Sequence, residues 1–199
     1  MGSTLSLYDR VMKLMDLAQE IHTSAFENYD DTAWPFYGKA RPIITPLTKF
    51  VESRGYRYVT GPECPPEDEE LAPDGVRGGL SWEHGYMWVR STQPVAIRQK
   101  VCLHECGHLV LHEKLAFEIP LMDCDEAWDT SIKLEFDAEA VALLAAHRLN
   151  LPYPIEYAVD YIKGWQEELR QPIDIRDYYR ANGPKIGRAV NIICNAIGV

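Results

Sequence analysis

A chain of 199 residues is long enough for one domain with a real core, and 46 % hydrophobic with 25 % charged residues is ordinary for a folded globular protein. The net charge of −10 and a pI near 5.0 repel phosphate backbones, which argues against nucleic acid as the primary ligand. No apolar run approaches the roughly 18–20 residues of a membrane span, and the first residues lack the basic-then-apolar pattern of a secretory signal. With five cysteines and no CxxC pair, the expectation is a cytoplasmic protein with reduced thiols and no membrane partner.

Val11, Leu14, Met15, Ala18, Ile21 and Phe26 recur at helical spacing and predict a first helix over residues 5–26. Residues 28–46 are broken by Pro35, Gly38, Pro42 and Pro46. A second helix is expected over residues 47–53, stopped by Gly55, and residues 56–60 alternate as a strand. Residues 1–55 therefore read as an N-terminal helical segment packed on the core, and residues 56–199 as the main part of one continuous domain. Residues 61–75 hold four prolines and the run Glu67-Asp68-Glu69-Glu70, the composition of an exposed loop. Residues 79–82 and 86–90 predict two strands of a hairpin that turns at Glu83-His84-Gly85. A helix over residues 93–112 is expected next, with Pro94 in its first turn, then a loop from 113 to about 129. An alanine- and leucine-rich helix over residues 130–149 ends at Pro152 and Pro154. Two last helices are expected over residues 155–170 and 174–194, the second interrupted at Gly183-Pro184. Arg170, Arg176, Arg180, Lys185 and Arg188 are interspersed with acids and read as a solvated helix surface. This order predicts an α+β fold, with a small antiparallel or mixed sheet packed on helices.

Chemistry concentrates in His104-Glu105-Cys106-Gly107-His108, an HExxH sequence inside a predicted helix. Positions i and i+4 of a helix share a face, so both imidazoles reach one Zn²⁺ at about 2.0–2.1 Å. Glu105 lies beside them, placed to take a proton from a zinc-bound water whose pKa falls to about 7, so that the hydroxide attacks a carbonyl. The flanks Val101, Leu103, Leu109, Val110 and Leu111 are apolar, which predicts a buried helix. Catalytic zinc takes three protein ligands and keeps one position open. Glu135, Asp137 and Glu139 on the next long helix are the candidates for the third ligand. Glu135 and Glu139 share a face, so one could ligate while the other orients a ligand histidine.

The run from Arg98 to His112 resembles the ImmA/IrrE group of zinc metallopeptidases, and Glu135-Phe136-Asp137-Ala138-Glu139-Ala140 resembles that group's second motif. Tyr161-Ile162-Lys163-Gly164-Trp165 is similar to a terminal signature of the members related to the peptidase part of ArdC-type antirestriction proteins. The resemblance spans about residues 76–199. It implies a zincin-like fold with an HExxH active-site helix, His104, His108 and Glu135 as zinc ligands, and Glu105 as the catalytic base. Asp137 stands where the group usually has a second glutamate. The resemblance also implies an intracellular endopeptidase, often encoded on phages and mobile elements, that acts on helix-turn-helix repressors. Two alternatives stand beside it: a zinc-fold module that sequesters a partner protein, and an antirestriction-type protein. The latter would need a DNA-binding domain, for which the first 55 residues are too few and not basic.

An oxyanion donor is expected in such a site. Tyr157, Tyr161, Tyr86 and His84 are candidates, and Tyr161 is favoured because it sits in the terminal signature. His112 extends the histidine face by one turn and is expected to cap the helix end. His147 is read as an ordinary core or surface histidine, and Cys102 and Cys106 as small buried apolar residues.

Overall fold

The computed structural model describes residues 43–65, 76–151 and 155–198. The helix expected over residues 5–26, nearly all of the proline-broken stretch and the acidic run 67–70 lie outside the described residues. Helix α1, Ile44–Ser53, buries Leu47, Phe50 and Val51, one stripe at helical spacing. Its start is tied to the core by the Ile43 backbone N–H, which donates to Gln99 Oε1 at 3.0 Å. Gly55, at φ +87°, turns the chain out of the helix where a Cβ would be strained.

Strand β1 is Arg57–Gly61, β2 is Gly78–Ser81 and β3 is Tyr86–Arg90. They form one sheet in the order β1-β3-β2. The predicted hairpin is present, with β2 antiparallel to β3 and Leu80 opposite Met87. The sheet is mixed, because β1 runs parallel to β3 with Tyr58 opposite Met87. Central position explains the burial of Tyr86, Met87, Trp88 and Val89 on both faces of β3.

Helix α2, Val95–Leu111, starts directly after Pro94 and is buried nearly all round. The loop expected over residues 113–129 is largely helical. Helix α3 covers Glu113–Glu118, a 3₁₀ turn covers Ile119–Leu121, and the long helix α4 covers Cys124–Arg148. Helix α4 starts early because Asp123 caps it, accepting from the backbone N–H groups of Asp125 and Glu126, which also put negative charge in the first turn. Helices α5, Ile155–Glu167, and α6, Ile175–Ala196, complete the described chain. Helix α6 runs through Pro184 without a break. Tyr179, Ile186, Ala189, Val190 and Ile193 bury its inner stripe, and that packing outweighs the lost hydrogen bond. Buried Asp129 of α4 accepts from the backbone N–H groups of Arg170 and Gln171, which holds the turn between α5 and α6. The fold is α+β, mostly helical around a three-stranded sheet. Among the described residues no helix is long and apolar enough to cross a membrane.

Helices α2 and α4 pack on each other at Gly107. A Cβ at that position would meet Ala138 Cα at 3.0 Å, the Ala138 carbonyl oxygen at 3.2 Å and Val141 Cβ at 3.2 Å. Gly164 in α5 has nothing within 4 Å of the same point. The two glycines therefore predict opposite outcomes in thermal unfolding. Gly107→Ala is expected to lose about 1–3 kcal/mol through overpacking. Gly164→Ala is expected to gain about 0.5–1 kcal/mol from helix propensity. Equal melting temperatures for the two variants would show that the interhelix contact is not tight.

Candidate metal centre

Lys100, His104, His108 and His112 stand four residues apart on α2 and so form one row along the helix. The facing segment of α4 carries Glu135, Asp137 and Glu139. His104 Nε2 and His108 Nε2 lie 3.2 Å apart. Glu135 completes a triangle, with Oε2 at 3.2 Å from His104 Nε2 and Oε1 at 3.3 Å from His108 Nε2. These residues form a group that could hold a metal ion. Ligands at 2.0–2.1 Å in a tetrahedron stand about 3.3–3.4 Å from one another, close to the 3.2 Å between the two histidine nitrogens. Glu135 turns a different oxygen to each histidine, and one ligand atom from each of the three residues lies within 4.8 Å of the others.

Each member of the triangle is held from outside. His104 Nδ1 lies 2.9 Å from Glu139 Oε2, and Lys100 Nζ donates to the same oxygen at 2.9 Å. Lys100 also lies over the rings of Tyr157 and Tyr161, at 4.6 and 5.1 Å from their centroids. His108 Nδ1 lies 3.0 Å from His112 Nδ1, and His112 Nε2 lies 3.4 Å from Asp137 Oδ2. Asp137 is in turn bound by Lys185 Nζ at 2.7 Å and by the Tyr178 hydroxyl, which donates to Oδ1 at 3.0 Å. The Tyr161 hydroxyl donates to Glu135 Oε2 at 2.7 Å.

The electrostatics describe a trap for positive charge. Burial disfavours charge on His104, but hydrogen bonds to Glu135 and Glu139 outweigh it and raise its pKa to about 10. Burial pushes Glu135 up, yet His108 and His104 hold its carboxyl well below the usual range. Desolvation lowers His112, against the pull of Asp137. Glu105 is different. It is 8 % exposed and makes no hydrogen bond among the described residues. Burial raises its pKa, partly offset by His104 and His108.

Glu105 and His104 face a cleft with two lobes. A lobe of about 310 Å³ is lined by Arg77, Lys100, Tyr157 and Tyr161. A lobe of about 560 Å³ is more apolar, with Leu80, Trp82, Ile119, Pro120, Leu134 and Trp165 in its wall.

The structure thus brings together His104, His108, Glu135, Glu105 and Tyr161. Of the other oxyanion candidates, Tyr157 lines the smaller lobe beside Tyr161. Tyr86 is buried in β3 and His84 sits on the exposed hairpin turn beside Ser81, and neither is among the residues lining the two lobes. Cys102 lies against Met87, with the two sulfurs 3.7 Å apart, and Cys106 is buried, as expected of core residues. His147 is at the surface. His112 is the C-cap residue of α2, but it is also buried against His108 and Asp137 rather than serving as a solvated helix cap. Asp137 and Glu139 are fully buried, not an acidic surface. Lys185, read as part of a solvated basic face, reaches Asp137. The row Lys100 to His112 was open to the i, i+4 rule, whereas Lys185 and Tyr178 arrive from a distant helix with no local signal. Comparison of the chain with protein-family models, with curated proteins and with solved structures finds no match.

One divalent ion per chain is expected by elemental analysis, lost in both His104→Ala and Glu135→Ala. A metal ligand must be deprotonated, and His104 otherwise keeps its proton up to a pH of about 10. Metal binding near neutral pH should therefore release about one proton, and affinity should rise about tenfold per pH unit as competition from that proton weakens. Calorimetry in two buffers of different ionisation heat counts the proton, and none released would contradict the charge trap.

Proposed function

We propose that the chain is a zinc metallopeptidase of the ImmA/IrrE kind, with a zincin-like fold, that hydrolyses a peptide bond in a protein substrate. The observation that carries the reading is Glu105. A buried carboxylate without a hydrogen-bond partner is costly, and one with a raised pKa in a cleft beside a His/His/Glu triangle has the properties of a general base. A structural metal site has four protein ligands and no need of such a group.

His104, His108 and Glu135 would hold the zinc. When bound, zinc supplies a Lewis acid that acidifies a water and polarises a carbonyl. The nitrogen-rich set with one carboxylate suits zinc better than magnesium or calcium. Glu105 takes the proton of the attacking water and delivers it to the leaving amine, and burial moves its pKa toward the range where it can do both. Burial and Glu135 raise the Tyr161 pKa, so its hydroxyl stays protonated. Its one proton goes to Glu135 Oε2, so Tyr161 would serve as donor to a developing oxyanion only by turning from that carboxylate. The substrate class follows from the resemblance alone: a protein, with helix-turn-helix regulators of phages and mobile elements foremost. The cysteines, all free where described, suit a reducing cytoplasm.

The test is cleavage of a fluorogenic peptide library by zinc-loaded protein, with products mapped by mass spectrometry. Glu105→Gln is expected to keep its zinc and lose activity by at least about 100-fold. Cleavage at the wild-type rate by that variant would remove Glu105 from the mechanism. An inactive variant that still produced the full biological effect would favour the sequestering module instead.

A further inference from the structure

The two ligand histidines are backed differently. His104 meets a carboxylate directly, at Glu139. His108 meets a second imidazole, and only that ring reaches a carboxylate, at Asp137. For a neutral His112, hydrogen-bond polarity then places the protons of this relay. A carboxylate only accepts, so the proton of His112 belongs on Nε2, facing Asp137 Oδ2. A neutral imidazole carries one N–H, so His112 Nδ1 is a bare acceptor. His108 must supply the proton between the two facing Nδ1 atoms, 3.0 Å apart. With a cation in the triangle this leaves His108 Nε2 as the bare atom, the one 3.2 Å from His104 Nε2 and 3.3 Å from Glu135 Oε1; without a cation, Glu135 asks for a proton there as well. The reverse arrangement would turn a lone pair of His112 toward Asp137 and a proton of His108 into the triangle.

We propose that His112 is a positioning residue, a neutral relay through which Asp137 fixes the tautomer of His108 and turns its Nε2 lone pair toward the metal. Water has little access to substitute for this relay, because His112 is 1 % and Asp137 0 % exposed. Asp137 is itself set by Tyr178 and Lys185, both on α6. Helix α6 gives no ligand to the triangle, yet through these contacts it orients one. The inference rests on the metal reading of the triangle, but the proton on His112 Nε2 follows from Asp137 whether or not zinc is bound.

Two measurements separate these claims. Long-range ¹H–¹⁵N correlation spectra of histidine-labelled protein report ring tautomers directly. His112 is expected as the Nε2–H form and His108 as the Nδ1–H form with zinc, and His112 should keep its form without zinc. His112 as the Nδ1–H form would overturn the relay in either state. Zinc affinity by competition with a chromophoric chelator is the second measurement. His112→Phe is expected to weaken zinc binding about 10- to 100-fold. His112→Gln, whose amide both accepts and donates, should recover most of that loss, which a purely space-filling role would not allow. Unchanged zinc affinity in a folded His112→Phe protein would refute the positioning role. Wild-type protein that binds no zinc would refute the metal reading while the spectra still judged the relay.

Discussion

The close approach of α2 and α4 at Gly107 is the contact on which the rest of the structure depends. With no side chain there, the backbone at Ala138 comes near enough for a row of titratable groups on one helix to meet three acids on the other. Burying charges this way costs several kcal/mol for each group left alone. Glu139 is met by Lys100 and His104, Asp137 by Lys185, Tyr178 and His112, and Glu135 by Tyr161, His104 and His108. Such networks hold their members in one geometry, because releasing any one of them strands the others. The triangle is therefore preorganised by the packing of two helices rather than by the flexible side chains alone.

Glu105 stands outside that network. A carboxylate without a hydrogen-bond partner in the wall of a cleft is a candidate for function rather than for structure. Glu105 shares a helix with His104 and His108 but faces the cleft, beside Val76, Gly78 and Tyr161. Fixing it by a hydrogen bond would lower its pKa and occupy the lone pairs needed to accept a proton.

The legible parts of this protein were those written in local spacing. His104, His108 and the burial of their helix follow from an i, i+4 pair flanked by apolar residues, and Glu135 from a resemblance carried by the next helix. The hairpin β2–β3 follows from alternation around a turn. What stayed hidden was set by tertiary contact. Parallel pairing of β1 with β3 depends on how the intervening residues return the chain, which alternation does not record. The segment 113–129 has too few buried apolar residues to show helical periodicity: α3 buries none of its residues, and the early start of α4 rests on the Asp123 cap. The acids at 137 and 139 look like a solvated face until α6 and Lys100 are placed against them.

Burial and metal charge act on Glu105 in opposite directions, and the proposed chemistry needs both. Desolvation raises its pKa and favours the protonated acid. A dication held by His104, His108 and Glu135 would replace the proton that His104 otherwise retains, and the greater positive charge would lower the Glu105 pKa. A carboxylate on a solvated surface would start low and fall too far to pick up a proton at all. In the proposed mechanism the buried helix would therefore do more than carry the ligands: the rise that burial gives Glu105 would offset the fall that a bound metal brings.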